Sequence, residues 1–178
     1  MTSHVSKLRV FAVLLMMAAT VSASAQEPVS MQALIGQSLS KIEQGEAKGL
    51  LTCIAELKRI DAMFPDSVAP KFQLALQSLN YSVTNPYAEQ TENLLAEAEQ
   101  TISQMEQMKG ADRSDVCTLR GFLYMTRIVQ NPAKNGQRYY LDVMQNYEKA
   151  LKLNPENVLA RQLQQKFFEG MKQATGGR

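Results

Sequence analysis

Residues 146–160 constrain the fold more than any other part of the chain. Tyr147, Ala150 and Leu151 share one face of a helix here, and charged residues occupy the opposite face. The Asn154–Pro155 pair that follows is typical of a helix start, because asparagine caps free N–H groups and proline has none to lose. The stretch therefore predicts two amphipathic helices that are joined by a tight turn.

Apolar residues recur at helical spacing along the chain from about residue 30 onwards. This pattern predicts an all-α protein in which residues 26–174 form a single domain. Six helices form three antiparallel pairs at about residues 30–63, 69–108 and 112–153, and a capping helix follows at 155–173. A polar loop is expected at residues 130–136, and a frayed tail at residues 175–178.

The first 25 residues have the form of a cleaved signal peptide. Lys7 and Arg9 precede an apolar run at residues 10–19, and a small-x-small cleavage site follows at residues 23–25. An uncleaved N-terminal anchor is the alternative. We expect an exported protein, periplasmic or secreted, that is soluble and has no membrane span after cleavage.

The distribution of charge limits the class of partner. The chain has 19 basic and 17 acidic residues, and loss of Lys7 and Arg9 leaves the two signs in balance. This balance argues against nucleic acid and anionic membranes as general partners. Residues 26–110 carry 6 basic and 11 acidic residues, whereas residues 111–178 carry 11 and 6. The two halves could attract different partners or each other in weak self-association, or they could simply be solvated helix faces.

The sequence offers little that could perform catalysis. Its single histidine, His4, lies in the predicted signal peptide, and no phosphate-binding loop or nucleophile motif is present. The glutamates of the helix expected at about residues 87–108 are scattered around its outer surface, opposite an apolar face that contains Leu94, Leu95, Ala98, Ile102 and Met105. We therefore expect no enzyme activity, no cofactor and no metal.

The spacing of Tyr147, Ala150 and Pro155 resembles the second helix of a tetratricopeptide repeat (TPR), and Gly121 and Tyr124 match the Gly-x-x-aromatic spacing of the first helix. The remaining pairs resemble the repeat more weakly. Residues 121–125 also resemble a segment of small exported bacterial proteins of this kind. The resemblance implies a short, degenerate array in which stacked helix pairs form a right-handed solenoid.

Cys53 and Cys117 are expected to be free thiols. Both lie in apolar stripes, where a cysteine behaves as a small hydrophobic residue. They also belong to the first and third pairs, which do not touch in a stacked array. A disulfide is the alternative, since an exported protein meets an oxidising compartment.

Seven residues are candidates for binding a protein or peptide partner. Because a TPR array presents the first helix of each pair on its concave side, the resemblance places Thr118, Phe122 and Met125 in a groove. Cationic and aromatic residues near the predicted loop supply the other four candidates, Arg127, Lys134, Arg138 and Tyr139. The alternative is that the aromatic rings pack in the core and the cations are solvated.

These observations favour an exported, non-catalytic scaffold or adaptor that holds a protein or peptide in a helical groove. One alternative is a structural subunit of a larger envelope assembly, docked through its acidic and basic halves. A remote alternative is an enzyme of unrecognised type.

Overall fold

The computed structural model describes residues 30–42, 46–174 and 176, and every regular element in this part of the chain is an α-helix. The all-α prediction is therefore confirmed. The predicted signal peptide lies outside the described residues, as does most of the predicted tail. The helices are α1 (Met31–Leu39), α2 (Glu46–Met63), α3 (Val68–Thr84), α4 (Thr91–Gln107), α5 (Arg113–Gln130), α6 (Pro132–Leu153) and α7 (Val158–Ala174).

Each helix packs against its neighbour in the sequence. The most extensive contact joins α5 to α6, and the next joins α3 to α4. In addition, α3 contacts α5, and α5 contacts α7. The odd-numbered helices from α3 onwards therefore lie side by side.

The core is divided into a large cluster and two smaller ones. The large cluster joins α3 to α7 and contains Leu79, Ile102 and Tyr147, which are almost completely buried. The second cluster joins α1 and α2 to the other face of α3, through residues such as Leu57 and Leu74. The third is a small contact between α5, α6 and α7. As a consequence, α3 buries apolar residues on two faces.

The chain between the first two helices approaches α2 closely at Gly49. α1 ends at Leu39 and α2 begins at Glu46, so Gly49 lies in the first turn of α2. A Cβ atom at Gly49 would lie 2.5 Å from the carbonyl oxygen of Lys41. Glycine therefore permits this close approach, which a larger residue would block.

The predicted loop at residues 130–136 is wrong, because α6 already begins at Pro132. Asn131 ends α5 and caps α6, and its side chain accepts a hydrogen bond of 3.1 Å from the backbone N–H of Lys134. Proline fits the first helical position, where no N–H is needed. Lys134 and Asn135 therefore lie in a helix instead of a loop.

The predicted cap of the last helix is also displaced. Asn154 accepts a hydrogen bond from the backbone N–H of Glu156 and so closes a turn, and α7 begins only at Val158. The capping residue is Asn157, whose side-chain oxygen lies 2.9 Å from the backbone nitrogen of Ala160. Its amide nitrogen contacts the buried hydroxyl of Ser114 at 2.8 Å. Asn157 therefore starts α7 and also fastens it to α5.

Candidate functional site

A cavity of about 740 Å³ lies between α3, α5 and α7, and we call it the apolar groove. α5 contributes Phe122, Met125, Ile128 and Val129, and α7 contributes Leu163, Lys166, Phe167 and Gly170. Gln77, Asn80 and Val83 of α3 face them, while Ile42 and Leu50 close one end. α3, α5 and α7, which contribute most of the lining, are the helices that pack side by side.

The floor of the apolar groove belongs to the large core cluster. Phe122, Ile128 and Phe167 are members of that cluster and expose at most a small edge. Val129, by contrast, is 37% exposed and forms part of the rim. The groove is thus an opening onto the core, and its apolar surface suits another apolar side chain better than water.

Two glycines leave space along the apolar groove. Apart from the adjacent residues and the backbone of the same helix, a Cβ atom at Gly136 or at Gly170 would meet no described atom within 4 Å. Both positions lie within helices, where glycine is less favourable than alanine by about 1 kcal/mol. A close packing contact therefore does not account for glycine at these two positions. The absence of a side chain there leaves the groove wider.

A second cavity, of about 440 Å³, lies on the other side of the start of α6, and we call it the basic cleft. Pro132 and Gly136 of α6 line the apolar groove, whereas Lys134 and Arg138 line the basic cleft. The first two turns of α6 therefore form the wall between the two cavities.

Arg127 occupies the basic cleft as one member of an ion-pair network. Its guanidinium lies 2.7 and 2.8 Å from the two carboxylate oxygens of Glu92, and 3.9 Å from Glu99. Gln130 also donates a hydrogen bond to Glu92. The hydrogen bond from Arg127 lowers the pKa of Glu92 from its ordinary value, and the hydrogen bond from Gln130 makes a smaller contribution in the same direction. Arg127 is therefore committed to an internal partner.

Lys134 and Arg138 differ from Arg127, because no described residue forms an ion pair with either of them. The guanidinium carbon of Arg138 lies 4.9 Å from the centre of the Tyr139 ring, a cation–π contact. Tyr139 in turn stacks on Tyr124, with ring centres 5.3 Å apart and planes inclined by 13°. The cleft thus combines two uncommitted cations with a fixed pair of aromatic rings.

Six of the seven predicted partner-binding residues line one of the two cavities. Phe122 and Met125 line the apolar groove, and the basic cleft contains Arg127, Lys134, Arg138 and Tyr139. The placement of Thr118 in a groove is wrong, because this residue is completely buried. Its hydroxyl donates to the carbonyl of Ser114 and contacts Asn157, so it serves the α5–α7 contact.

The acidic face of α4 is exposed, and several of its carboxylates form ion pairs with cations of other helices. Glu97 lies 2.5 Å from Lys58 of α2, and Glu106 lies 2.6 Å from Arg120 of α5. Together with Glu92, these acids join α4 to cations on both neighbouring helices. Part of the charge difference between the two halves is therefore neutralised within the molecule.

Other reactive groups offer little chemistry in the described part of the chain. Cys53 and Cys117 are free, buried and placed in different core clusters. Burial raises the pKa of the Cys53 thiol to about 11 and also raises that of Cys117, so neither is an activated nucleophile. Within the described ranges, no cluster of three or more His, Cys, Asp or Glu side chains could hold a metal ion.

None of the helices in the described ranges combines the length and apolar character that a membrane crossing requires.

The sequence does not identify several residues of the apolar groove as candidates for binding. Ile128, Val129, Leu163 and Phe167 were recognisable only as helix residues or core candidates. One signal was available: α5 carries apolar residues around more than one face, which is more than a single helix contact needs. The polar side of the groove on α3 had no such signal, because Gln77 and Asn80 are ordinary surface residue types.

Comparison of the chain with known protein families, with curated proteins and with solved structures finds no match.

Proposed function

We propose that this protein is a non-catalytic adaptor whose apolar groove binds the apolar face of an amphipathic helix from a partner protein. The observation that carries the proposal is the groove itself, an open cavity of about 740 Å³ whose floor is continuous with the core. A groove of this kind suits anchor side chains at positions i, i+3, i+4 and i+7 of a helix.

The rim of the apolar groove adds a charge preference. Lys166 lies on one side, and the neutral side chains of Gln77 and Asn80 lie on the other. No described residue forms an ion pair with Lys166, and none of the groove residues is acidic. The partner helix therefore carries a carboxylate at the boundary between its apolar and polar faces, where it meets Lys166.

The helix order supports a short TPR-like solenoid. The pairs are α1 with α2, α3 with α4 and α5 with α6, and α7 is the cap. Contacts between successive helices, and between successive odd-numbered helices from α3 onwards, suit a stack in which each pair touches only its neighbours. In a right-handed array of this kind, the helices that line the apolar groove are the concave ones.

The proposed location is outside the cytoplasm. The pattern of residues 1–25 supports export through a cleaved signal peptide, which places the adaptor in the periplasm or in the medium as a soluble protein. A structural role in an envelope assembly receives less support, because Glu92 and Glu106 already pair with cations of the basic half.

Site-specific crosslinking tests the proposed function. A photoreactive p-benzoylphenylalanine replaces Val129 in the apolar groove, or Leu141 as a control. Leu141 is 65% exposed on α6 and lines neither cavity. In the protein's own cells, we expect position 129 to crosslink to an amphipathic helix that position 141 does not reach.

Variants then measure how much the apolar groove contributes to binding of the crosslinked partner. Val129→Asp places a charge against the bound apolar face and should weaken binding at least about tenfold. Leu141→Asp should leave the affinity within about twofold, because a lone exposed substitution away from the contact has little effect. Equal affinity of the Val129→Asp variant and the parent protein would overturn the proposal.

A further inference from the structure

We propose that the basic cleft is a second binding site, and that it takes an acidic peptide segment through Lys134 and Arg138. This inference stands apart from the apolar groove, since it rests on different residues and a different cavity.

The two cations are placed to act together. Lys134 and Arg138 are four residues apart on α6, so they lie on one face about 5–6 Å apart at their Cβ atoms. Both are exposed, and neither has an ion-pair partner among the described residues. Other cations nearby, such as Arg120 and Arg127, are already held by carboxylates. Lys134 and Arg138 are thus the two cations of this region that remain available to an external anion.

The Arg138 guanidinium is oriented before any ligand arrives. It lies over the Tyr139 ring, which is itself held against Tyr124. Stacking of this kind limits the conformations of a long side chain and leaves the N–H edge of the guanidinium available for hydrogen bonds. A carboxylate that binds this edge therefore meets a partly ordered partner, which lowers the entropic cost of binding.

The charge of the cleft favours carboxylates over phosphates. Glu92 and Glu99 also line the cavity, so three cations face two acids. The resulting net charge is +1, and the two acids repel the compact charge of a polyphosphate more strongly than carboxylates that are spread along a peptide. Carboxylates three or four residues apart on a peptide helix have the same spacing as Lys134 and Arg138. The ligand class is therefore a peptide with neighbouring Glu or Asp residues.

Aromatic stacking by a planar ligand is less favoured. The Tyr139 ring already engages the Tyr124 ring and the Arg138 guanidinium. A nucleobase would have to displace one of these contacts before it could stack on Tyr139. An acidic peptide needs no such displacement, because it binds the outer edge of the cation.

Fluorescence anisotropy with a fluorescein-labelled hexaglutamate peptide tests this inference at an ionic strength of about 50 mM, where screening is weak. We expect the parent protein to bind the probe, and the double variant Lys134→Gln/Arg138→Gln to bind it at least about tenfold more weakly. The matched control is Lys149→Gln/Lys152→Gln, which removes the same charge from exposed positions of the same helix outside the cleft. This control should change the affinity less than about twofold.

Two further measurements decide the ligand class and the role of stacking. Tripolyphosphate should compete with the probe only weakly, whereas Arg138→Lys should weaken probe binding about threefold although the charge is kept. Equal loss of affinity in the two double variants would reveal general charge attraction and overturn the site. Tighter binding of tripolyphosphate than of hexaglutamate would overturn the assignment to an acidic peptide.

Discussion

Gly121 of α5 lies so close to Tyr147 of α6 that a Cβ atom at position 121 would be 2.8 Å from Cε1 of the ring. Tyr147 is completely buried, so the ring has little room to move aside. The most extensive helix contact in the molecule therefore depends on the absence of one methyl group.

Gly121→Ala should accordingly destabilise the protein. Overpacking costs about 1–3 kcal/mol, and the better helix propensity of alanine returns about 1 kcal/mol. We expect a net loss of up to about 2 kcal/mol in the free energy of unfolding, measured by urea denaturation. The control is Gly136→Ala, where the new Cβ meets nothing within 4 Å and stability should rise. Stabilisation by both substitutions would show that α5 and α6 are less tightly packed than described.

Asn157→Ala should destabilise the protein more than Asn131→Ala, although both residues cap helices. Asn131 makes one capping hydrogen bond, and its loss costs about 0.5–2 kcal/mol. Asn157 caps α7 and also contacts Ser114 and Thr118 in the buried α5–α7 contact. Loss of those buried partners should raise the cost to about 2–4 kcal/mol. Similar urea midpoints for the two variants would contradict a buried network at Asn157.

The ion pair between Lys71 and Asp61 should respond asymmetrically to substitution. Lys71 is 7% exposed, and its ammonium lies 2.6 Å from the Asp61 carboxylate. Asp61→Ala leaves a buried, unpaired cation and should cost about 2–4 kcal/mol, whereas Lys71→Met removes the charge and should cost less than about 1 kcal/mol. In thermal unfolding, the double variant should resemble Lys71→Met. If the stability lost in the double variant equalled the sum of the losses in the two single variants, Lys71 and Asp61 would not be energetically coupled.

Glu92→Gln should lower stability at neutral pH and have less effect in acid. The hydrogen bond from Arg127 holds the pKa of Glu92 below its ordinary value of 4.5 in the folded state. The resulting stabilisation is present above the unfolded-state pKa and is lost as the pH falls through the lowered value. The stability difference between parent and variant should therefore shrink below about pH 4.5.

The effect at Glu92 should be small, because this side chain is largely exposed. Glu148→Gln is the matched control, since Glu148 is exposed and no described residue forms an ion pair with it. Parallel pH curves for the parent protein and the Glu92→Gln variant would contradict the predicted linkage.

The helix faces were predictable from the sequence because burial follows the helical period. On α4, for example, Leu94, Leu95, Ala98, Ile102 and Met105 were all predicted on the inner face, and all are buried. Local spacing contains this information, because one helix face is defined by residues three and four apart.

The helix starts were harder to predict, because Asn-Pro pairs occur both at residues 131–132 and at residues 154–155, and only the first of these two pairs starts a helix. The sequence predicts a helix start at Asn154–Pro155 and a loop at Asn131–Pro132. In the structure, Asn131 caps α6, whereas Asn157 takes the role that was predicted for Asn154. The hydroxyl of Ser114, 43 residues away, helps to select Asn157 as the cap of α7. No local sequence pattern reveals a partner at that distance along the chain.

The apolar groove and the basic cleft depend even more on tertiary structure. The groove joins residues of α3, α5 and α7, and their sequence separation hides that they meet. The cleft was partly predictable, because Arg127, Lys134, Arg138 and Tyr139 stand out as a cationic and aromatic segment. The wall between the two cavities was not, since it requires that residues 132–136 be helical.

Because Phe122, Ile128 and Phe167 serve both the core and the groove floor, the interior and the proposed binding surface cannot change independently. A substitution there that adapts the groove to a new partner also risks unfolding the protein. Substitutions are tolerated better at the rim, because Val129, Lys166 and Gly170 contribute little to folding. The proposed binding function therefore predicts that partner preference changes through substitutions at these rim positions while the floor stays the same.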